Sequence, residues 1–175
     1  MGQTKPQPTE PITAITQQPK SSLWSRQRIL MVCSTGGHLA QLIRLEPWWR
    51  DHDRTWVTFD KPDAQNLLAD EPVIYAHHPT TRNLPNLARN TRLANDVLRD
   101  YQPDMVVSNG AGLALPFFAL AKARGIKTVY LEVYDRIDSR TMTGRLCRPF
   151  TDLFLVQWAE QQRLYPGSRL IEPLY

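Results

Sequence analysis

Apolar residues come in seven short runs after residue 28, each separated from the next by a polar or amphipathic stretch. The runs 29–34, 55–59, 73–76, 104–108, 127–133, 152–157 and 169–171 are mostly apolar and too short for helices, so they read as strands. Several of the stretches between them repeat apolar positions every three to four residues, the period of a helix. The clearest is 85–101, where Leu84, Leu87, Thr91, Ala94, Val97, Leu98 and Tyr101 mark one face and Arg89, Arg92 and Arg99 the other. An arginine stripe of this kind fits a solvated face, and also contact with a membrane or a diphosphate. Short apolar strands alternating with helices predict an α/β fold: a doubly wound, mostly parallel, Rossmann-like sheet covered on both faces.

Two of the strands break into glycines. The first, 29–34, runs straight into Thr35, Gly36, Gly37 and His38; the fourth, 104–108, runs into Asn109, Gly110, Ala111 and Gly112, ahead of an apolar helix over 113–124. A strand that turns through glycines into a helix is how α/β proteins build an anion site, with backbone amides facing the ligand. In a sheet of order 3-2-1-4-5 the first and fourth strands flank the topological switch point, so both loops are expected to face one crevice. A dinucleotide reading competes, because Glu132 stands where an acidic residue would hold a ribose. The third glycine position of that fingerprint is Leu115, however, followed by Pro116. A bulky side chain there obstructs close helix-to-strand packing and disfavours nicotinamide or flavin.

Candidate chemistry gathers at the same edge. His38 fits a general base on an acceptor hydroxyl, a donor to phosphate, or a loop cap bonded to backbone. Glu132 and, more weakly, Asp135 follow the fifth strand, where α/β chemistry usually happens, although either carboxylate can instead bond nearby amides. Ser139, Thr141, Thr143 and Gly144 fit either substrate contact or capping of the next helix. Asp51, His52 and Asp53 spell an acid-x-acid pattern but precede a strand, on the wrong edge for the crevice, and read as a polar turn. His77 and His78 lack acidic or cysteine company, so no metal site is expected there. Trp48 and Trp49 fit a lipid interface or packing under a loop.

Composition narrows the class. With 175 residues, 42% hydrophobic and 22% charged, the chain carries one ordinary core, a single domain over 28–175. Residues 1–27, rich in Gln, Thr and Pro, are expected to form a disordered tail. Leu23, Trp24, Arg26 and Arg28 make 21–28 either an interfacial anchor or a linker. Neither a membrane-spanning run nor a secretory leader is visible, which predicts a cytoplasmic protein. The net charge of +4 favours anionic partners without the aromatic-interleaved basic pattern of nucleic-acid binding. Cys33 and Cys147 lack metal-type spacing and are expected to be reduced, buried hydrophobes.

Six motifs in order carry a resemblance: 34–42 (STGGHLAQL), 56–59 (WVTF), 103–112 (PDMVVSNGAG), 125–132 (GIKTVYLE), 143–146 (TGRL) and 152–158 (DLFLVQW). Together they resemble the bacterial PssD/EpsE-type polysaccharide biosynthesis proteins, which are similar to the membrane-anchor subunit of the eukaryotic dolichol-pathway UDP-N-acetylglucosamine transferase. The resemblance covers 28–175 and implies the amino-terminal half of a split GT-B glycosyltransferase, with a second protein binding most of the UDP-sugar. A more distant likeness is to the single-chain transferase that makes peptidoglycan lipid II. By that likeness Gly36, Gly37 and His38, with Asn109, Gly110 and Gly112, surround the acceptor lipid's diphosphate and reacting hydroxyl, and Glu132 matches a glutamate position. Relatives commonly carry a serine after that glutamate, where this chain has Val133 and Tyr134.

The resemblance therefore implies the acceptor-side subunit of a two-component UDP-sugar transferase acting on polyprenyl-diphosphate-linked saccharides. Such a subunit would be inactive alone and peripheral on the inner face of the plasma membrane. His38 and Glu132 would be its catalytic candidates. The scheme needs no metal or cofactor beyond the UDP-sugar donor. The alternative is a non-catalytic recruiter or activator of a separate glycosyltransferase.

Overall fold

The computed structural model describes residues 26–174; the expected tail lies outside the described residues but for Arg26 and Gln27, as do Leu23 and Trp24 of the expected interfacial segment. Seven strands, β1 (Arg28–Val32), β2 (Asp53–Phe59), β3 (Val73–Ala76), β4 (Met105–Ser108), β5 (Lys127–Leu131), β6 (Leu153–Val156) and β7 (Arg169–Leu170), form one parallel sheet. Their spatial order is β3-β2-β1-β4-β5-β6-β7. All seven apolar runs are strands, and the doubly wound arrangement around a β1–β4 centre stands as expected.

Strand alternation splits the core into two layers. Leu30, Val32, Val57 and Val106 face one side, where α4 (Leu84–Tyr101), α5 (Ala114–Ala123) and α6 (Met142–Cys147) bury Ala94, Leu98, Phe117, Phe118 and Cys147. Ile29, Met31, Trp56 and Val107 face the other, covered by α1 (Gly37–Ile43), α2 (Glu46–Trp49) and α3 (Pro62–Leu67) through Leu39, Leu42, Trp49 and Ala64. A last helix, α7 (Ala159–Leu164), joins β6 to β7. Because β1 and β4 are central, their side chains from Ile29 to Val32 and Val106 to Val107 are almost fully buried. Each such aliphatic side chain contributes roughly 1.5–3 kcal/mol of burial.

The buried face of α4 departs from its periodicity. Ala94, Val97 and Leu98 are buried as the spacing predicts, but in the first two turns Asn86 and Asn90 face inward while Leu84 is 75% exposed. This end of α4 packs on a loop whose peptide groups belong to no strand, and buried peptide groups need polar partners. Asn90 accepts from His77 N (2.9 Å) and donates to His77 O (2.8 Å), and Asn86 donates to Pro79 O (2.9 Å).

Trp49 belongs to the core. Its Nε1 donates to Leu42 O (2.9 Å), its ring meets Trp56 edge-on at 5.8 Å, and Arg54 lies over it at 4.4 Å, so the lipid-interface reading does not hold for this residue. Cys33 and Cys147 lie in the two different layers, on opposite faces of the sheet, which rules out a bond between them. Among the described residues no helix is long and apolar enough to cross a membrane.

Candidate functional site

β1 and β4 run parallel as neighbours, so the segments leaving their carboxyl ends emerge side by side. One chain then turns to α1 on one face and the other to α5 on the opposite face, which opens a crevice between them. His38, in the first turn of α1, meets Asn109, the first residue past β4. The ring Nδ1 lies 3.1 Å from Asn109 O, and Asn109 Nδ2 donates to His38 O at 2.7 Å. A backbone carbonyl only accepts, so Nδ1 carries the proton and Nε2 keeps its lone pair. Burial pushes the His38 pKa below its ordinary value, outweighing the hydrogen bonds to Asn109 and the charge of Asp135, which act the other way. The ring is neutral near pH 7 and presents a proton acceptor.

The two glycine loops are built by different constraints. Gly110 has φ +117°, its amide donates to Ser108 Oγ (3.1 Å), and a Cβ there would lie 2.8 Å from the Tyr130 hydroxyl. A Cβ on Gly112 would lie 3.1–3.3 Å from Thr80. Gly36 has φ +72°, and its amide donates to Asp63 Oδ2 (2.7 Å) at the start of α3. That amide is therefore taken by a carboxylate, whereas the first-turn amides of α1 have no partner within the helix.

The crevice is a cleft of about 230 Å³ whose wall includes His38, Asn109, Ala111, Tyr130, Asp135, Arg136, Thr141 and Thr143. Gly36, Gly37, Gly110 and Gly112 shape the loops around it without forming its wall. Asn109 Oδ1 is buried and has no hydrogen-bond partner among the described residues.

Glu132 sits behind the wall, fully buried. Its Oε1 and Oε2 accept from Thr141 Oγ1 (3.0 and 3.1 Å), and Oε1 also from Val133 N (3.2 Å); the same hydroxyl accepts from Gly144 N (2.9 Å) and caps α6. Burial raises its pKa, while the hydroxyls of Tyr165 and Thr141 act to lower it. In this position Glu132 ties the start of α6 to the end of β5. Asp135 is the carboxylate on the wall. Gly144 faces inward too: a Cβ would lie 2.5 Å from Glu132 Oε2 and 2.7 Å from the Tyr165 hydroxyl.

The loop between β5 and α6 is held by buried glutamines that composition and spacing do not flag. Gln157 Nε2 donates to Glu132 O (2.8 Å) and Gln41 Oε1 (3.0 Å). Gln161 Nε2 donates to Val133 O (2.8 Å) and Arg136 O (3.1 Å), and Trp158 Nε1 to Tyr134 O (2.7 Å). The available signal was a Gln at the carboxyl end of a buried strand, an expensive position unless its amide is used. Tyr130 and Arg136 line the cleft without a sequence signal, since one reads as core and the other as solvated loop. Asp53 opens β2 at the opposite end of the sheet, paired with Arg26, far from the cleft.

The chain matches the family described as "Oligosaccharide biosynthesis protein Alg14 like" over residues 80–174. It is 32% identical over 171 residues to the UDP-N-acetylglucosamine transferase subunit ALG14 of Rattus norvegicus, covering 80% of this chain and 79% of that one. With the subunit of the same name from Mus musculus it shares 24% over 182 residues, 86% of this chain and 82% of the other. In shape it is similar to Acinetobacter baumannii MurG, with a TM-score of 0.70, 15% identity, and coverage of 85% of this chain but 46% of that one. The chain thus spans about half the length of the solved structure it matches, a likeness of fold.

Proposed function

The chain belongs to the Alg14-like family of oligosaccharide biosynthesis proteins, and on that premise we propose that it is the acceptor-side, membrane-associating subunit of a two-component UDP-sugar glycosyltransferase that extends a polyprenyl-diphosphate-linked saccharide in polysaccharide biosynthesis. Relatives named as subunits of a UDP-N-acetylglucosamine transferase support a separate partner carrying the donor-sugar site. On this reading the chain is inactive alone and attaches peripherally to the inner face of the plasma membrane.

In the proposed reaction His38 Nε2 takes the proton of the acceptor hydroxyl as that oxygen attacks the anomeric carbon of the UDP-sugar. The bond from that carbon to the diphosphate oxygen breaks, and UDP leaves with its electron pair. Asp135 lies close enough to favour the imidazolium that forms. The acceptor's diphosphate lies along Gly36, Gly37, Asn109, Gly110 and Gly112, where the amides of the first turn of α1, and not the Gly36 amide held by Asp63, offset its charge.

One observation carries this reading: Nδ1–H is committed to the Asn109 carbonyl in a switch-point cleft, which leaves Nε2 as a base. The test is to co-express the chain with a UDP-sugar-binding partner subunit and assay transfer to a polyprenyl-diphosphate acceptor. His38→Ala should lower kcat by roughly 10²–10⁴-fold. A loss of only a few-fold overturns the base assignment, and full activity of the partner without this chain makes it a recruiter.

A further inference from the structure

Most arginines whose hydrogen bonds reach side chains meet a carboxylate: Arg50 meets Glu46, Arg54 meets Glu71 and Arg99 meets Asp96. Of the arginines with no ion pair among the described residues, three are gathered in one place. Arg140, Arg145 and Arg148 surround a second cleft of about 250 Å³, completed by Leu164, Tyr165 and Pro166, and among the described residues none of the three forms an ion pair.

Two of these guanidiniums are held in place. Phe154 and Tyr165 stack at 4.4 Å; Arg148 lies over the Phe154 ring at 5.0 Å and Arg140 over the Tyr165 ring at 5.8 Å. Arg148 also donates to Pro166 O. Such contacts orient the planar forks without neutralising them. Three uncompensated positive charges around one cavity repel one another, and a multiply charged oxyanion removes that repulsion while accepting paired N–H bonds.

We propose that Arg140, Arg145 and Arg148 form a second binding site, for a phosphate or diphosphate group, on the flank of α6 opposite the His38 cleft. Thr143 lines one cleft and Arg145 the other, and two residues of helix turn them about 200° apart. Glu132 and Gly144 lie between, so an anion seated here bears on the element that Glu132 anchors. The phosphate has two possible sources, a lipid headgroup or a soluble phosphate compound. Met142 and Leu146 are exposed on the same helix and would meet the apolar part of a lipid.

The full chain is titrated with inorganic pyrophosphate while the Nε–H resonances of the three arginines are followed by NMR. Saturable shifts confined to them are expected; shifts no larger than those of Arg92 and Arg169 overturn the proposal. The pair Arg140→Gln with Arg145→Gln, both exposed, should weaken the affinity read at Arg148 roughly tenfold, the equivalent of one charge-assisted hydrogen bond. Arg92→Gln with Arg169→Gln removes the same charge elsewhere and should leave that affinity within twofold; an equal loss overturns the site. Vesicles of phosphatidylcholine with phosphatidylglycerol then separate the sources: weaker vesicle binding by the first pair identifies a lipid phosphate, and unchanged vesicle binding a soluble one.

Discussion

His38 and Asn109, 71 residues apart, hold one another by two hydrogen bonds of opposite direction, ring Nδ1 to Asn109 O and Asn109 Nδ2 to His38 O. The pair joins the two loops across the crevice and sets the tautomer of the imidazole in one step. Neither loop alone does this, since each supplies the carbonyl that the other's side chain requires.

Asn109→Ala removes the bond to His38 O but keeps the carbonyl that receives Nδ1. A stability loss of about 1–3 kcal/mol is expected in chemical denaturation, from a buried carbonyl left short of a partner. Asn109→Asp places a carboxylate against the ring, and the His38 titration followed by NMR should move upward relative to the parent.

His38 and Glu132 should give pH dependences of opposite sign. The folded pKa of His38 is depressed, so its contribution is full above the unfolded value of about 6.5 and is lost as pH falls through the folded one. The folded pKa of Glu132 is raised, so its contribution is full below about 4.3 and is lost as pH rises through the folded value. Stability against pH, measured for the parent, His38→Gln and Glu132→Gln, should show the His38 difference growing toward acid as a relative loss for the parent. The Glu132 difference should grow toward acid as a relative gain.

Gly110→Ala meets two obstacles, the positive φ and the Tyr130 hydroxyl 2.8 Å from the new Cβ. A loss of about 2–4 kcal/mol in thermal or chemical unfolding is expected from overpacking plus backbone strain. In a Tyr130→Phe background the steric part should shrink and the φ part remain, so the two changes should be non-additive.

Burial pushes the Cys33 and Cys147 thiols up to about 12. An aromatic disulfide reagent at pH 8 should therefore label neither in the folded chain and both in denaturant. Rapid labelling of the native protein would contradict the packing described here.

Much of the architecture was legible because period and length are local properties. The runs that became β1, β2, β4 and β5 carry too many consecutive apolar residues for exposed strands, and a parallel sheet covered on both faces is the arrangement that hides them. Given that sheet, right-handed crossovers and the switch-point rule bring Gly37 and Asn109 together with no further information. The six ordered motifs carried the family resemblance.

The choice between Glu132 and Asp135 was not legible. Both follow β5, and the outcome rests on Thr141 returning nine residues later to claim the Glu132 carboxylate, which leaves Asp135 facing the cleft. Nor could spacing reveal Asp63 at the Gly36 amide, or Asn86 and Asn90 displacing Leu84 from the inner face of α4. Sequence by itself determined the strands, their class of sheet and the crevice where two glycine loops meet, because hydrophobic period dictates which faces must be buried. Only the tertiary structure decided which carboxylate and which arginines line a cleft and which tautomer the imidazole takes, because those depend on hydrogen bonds and ring contacts between residues far apart in the chain.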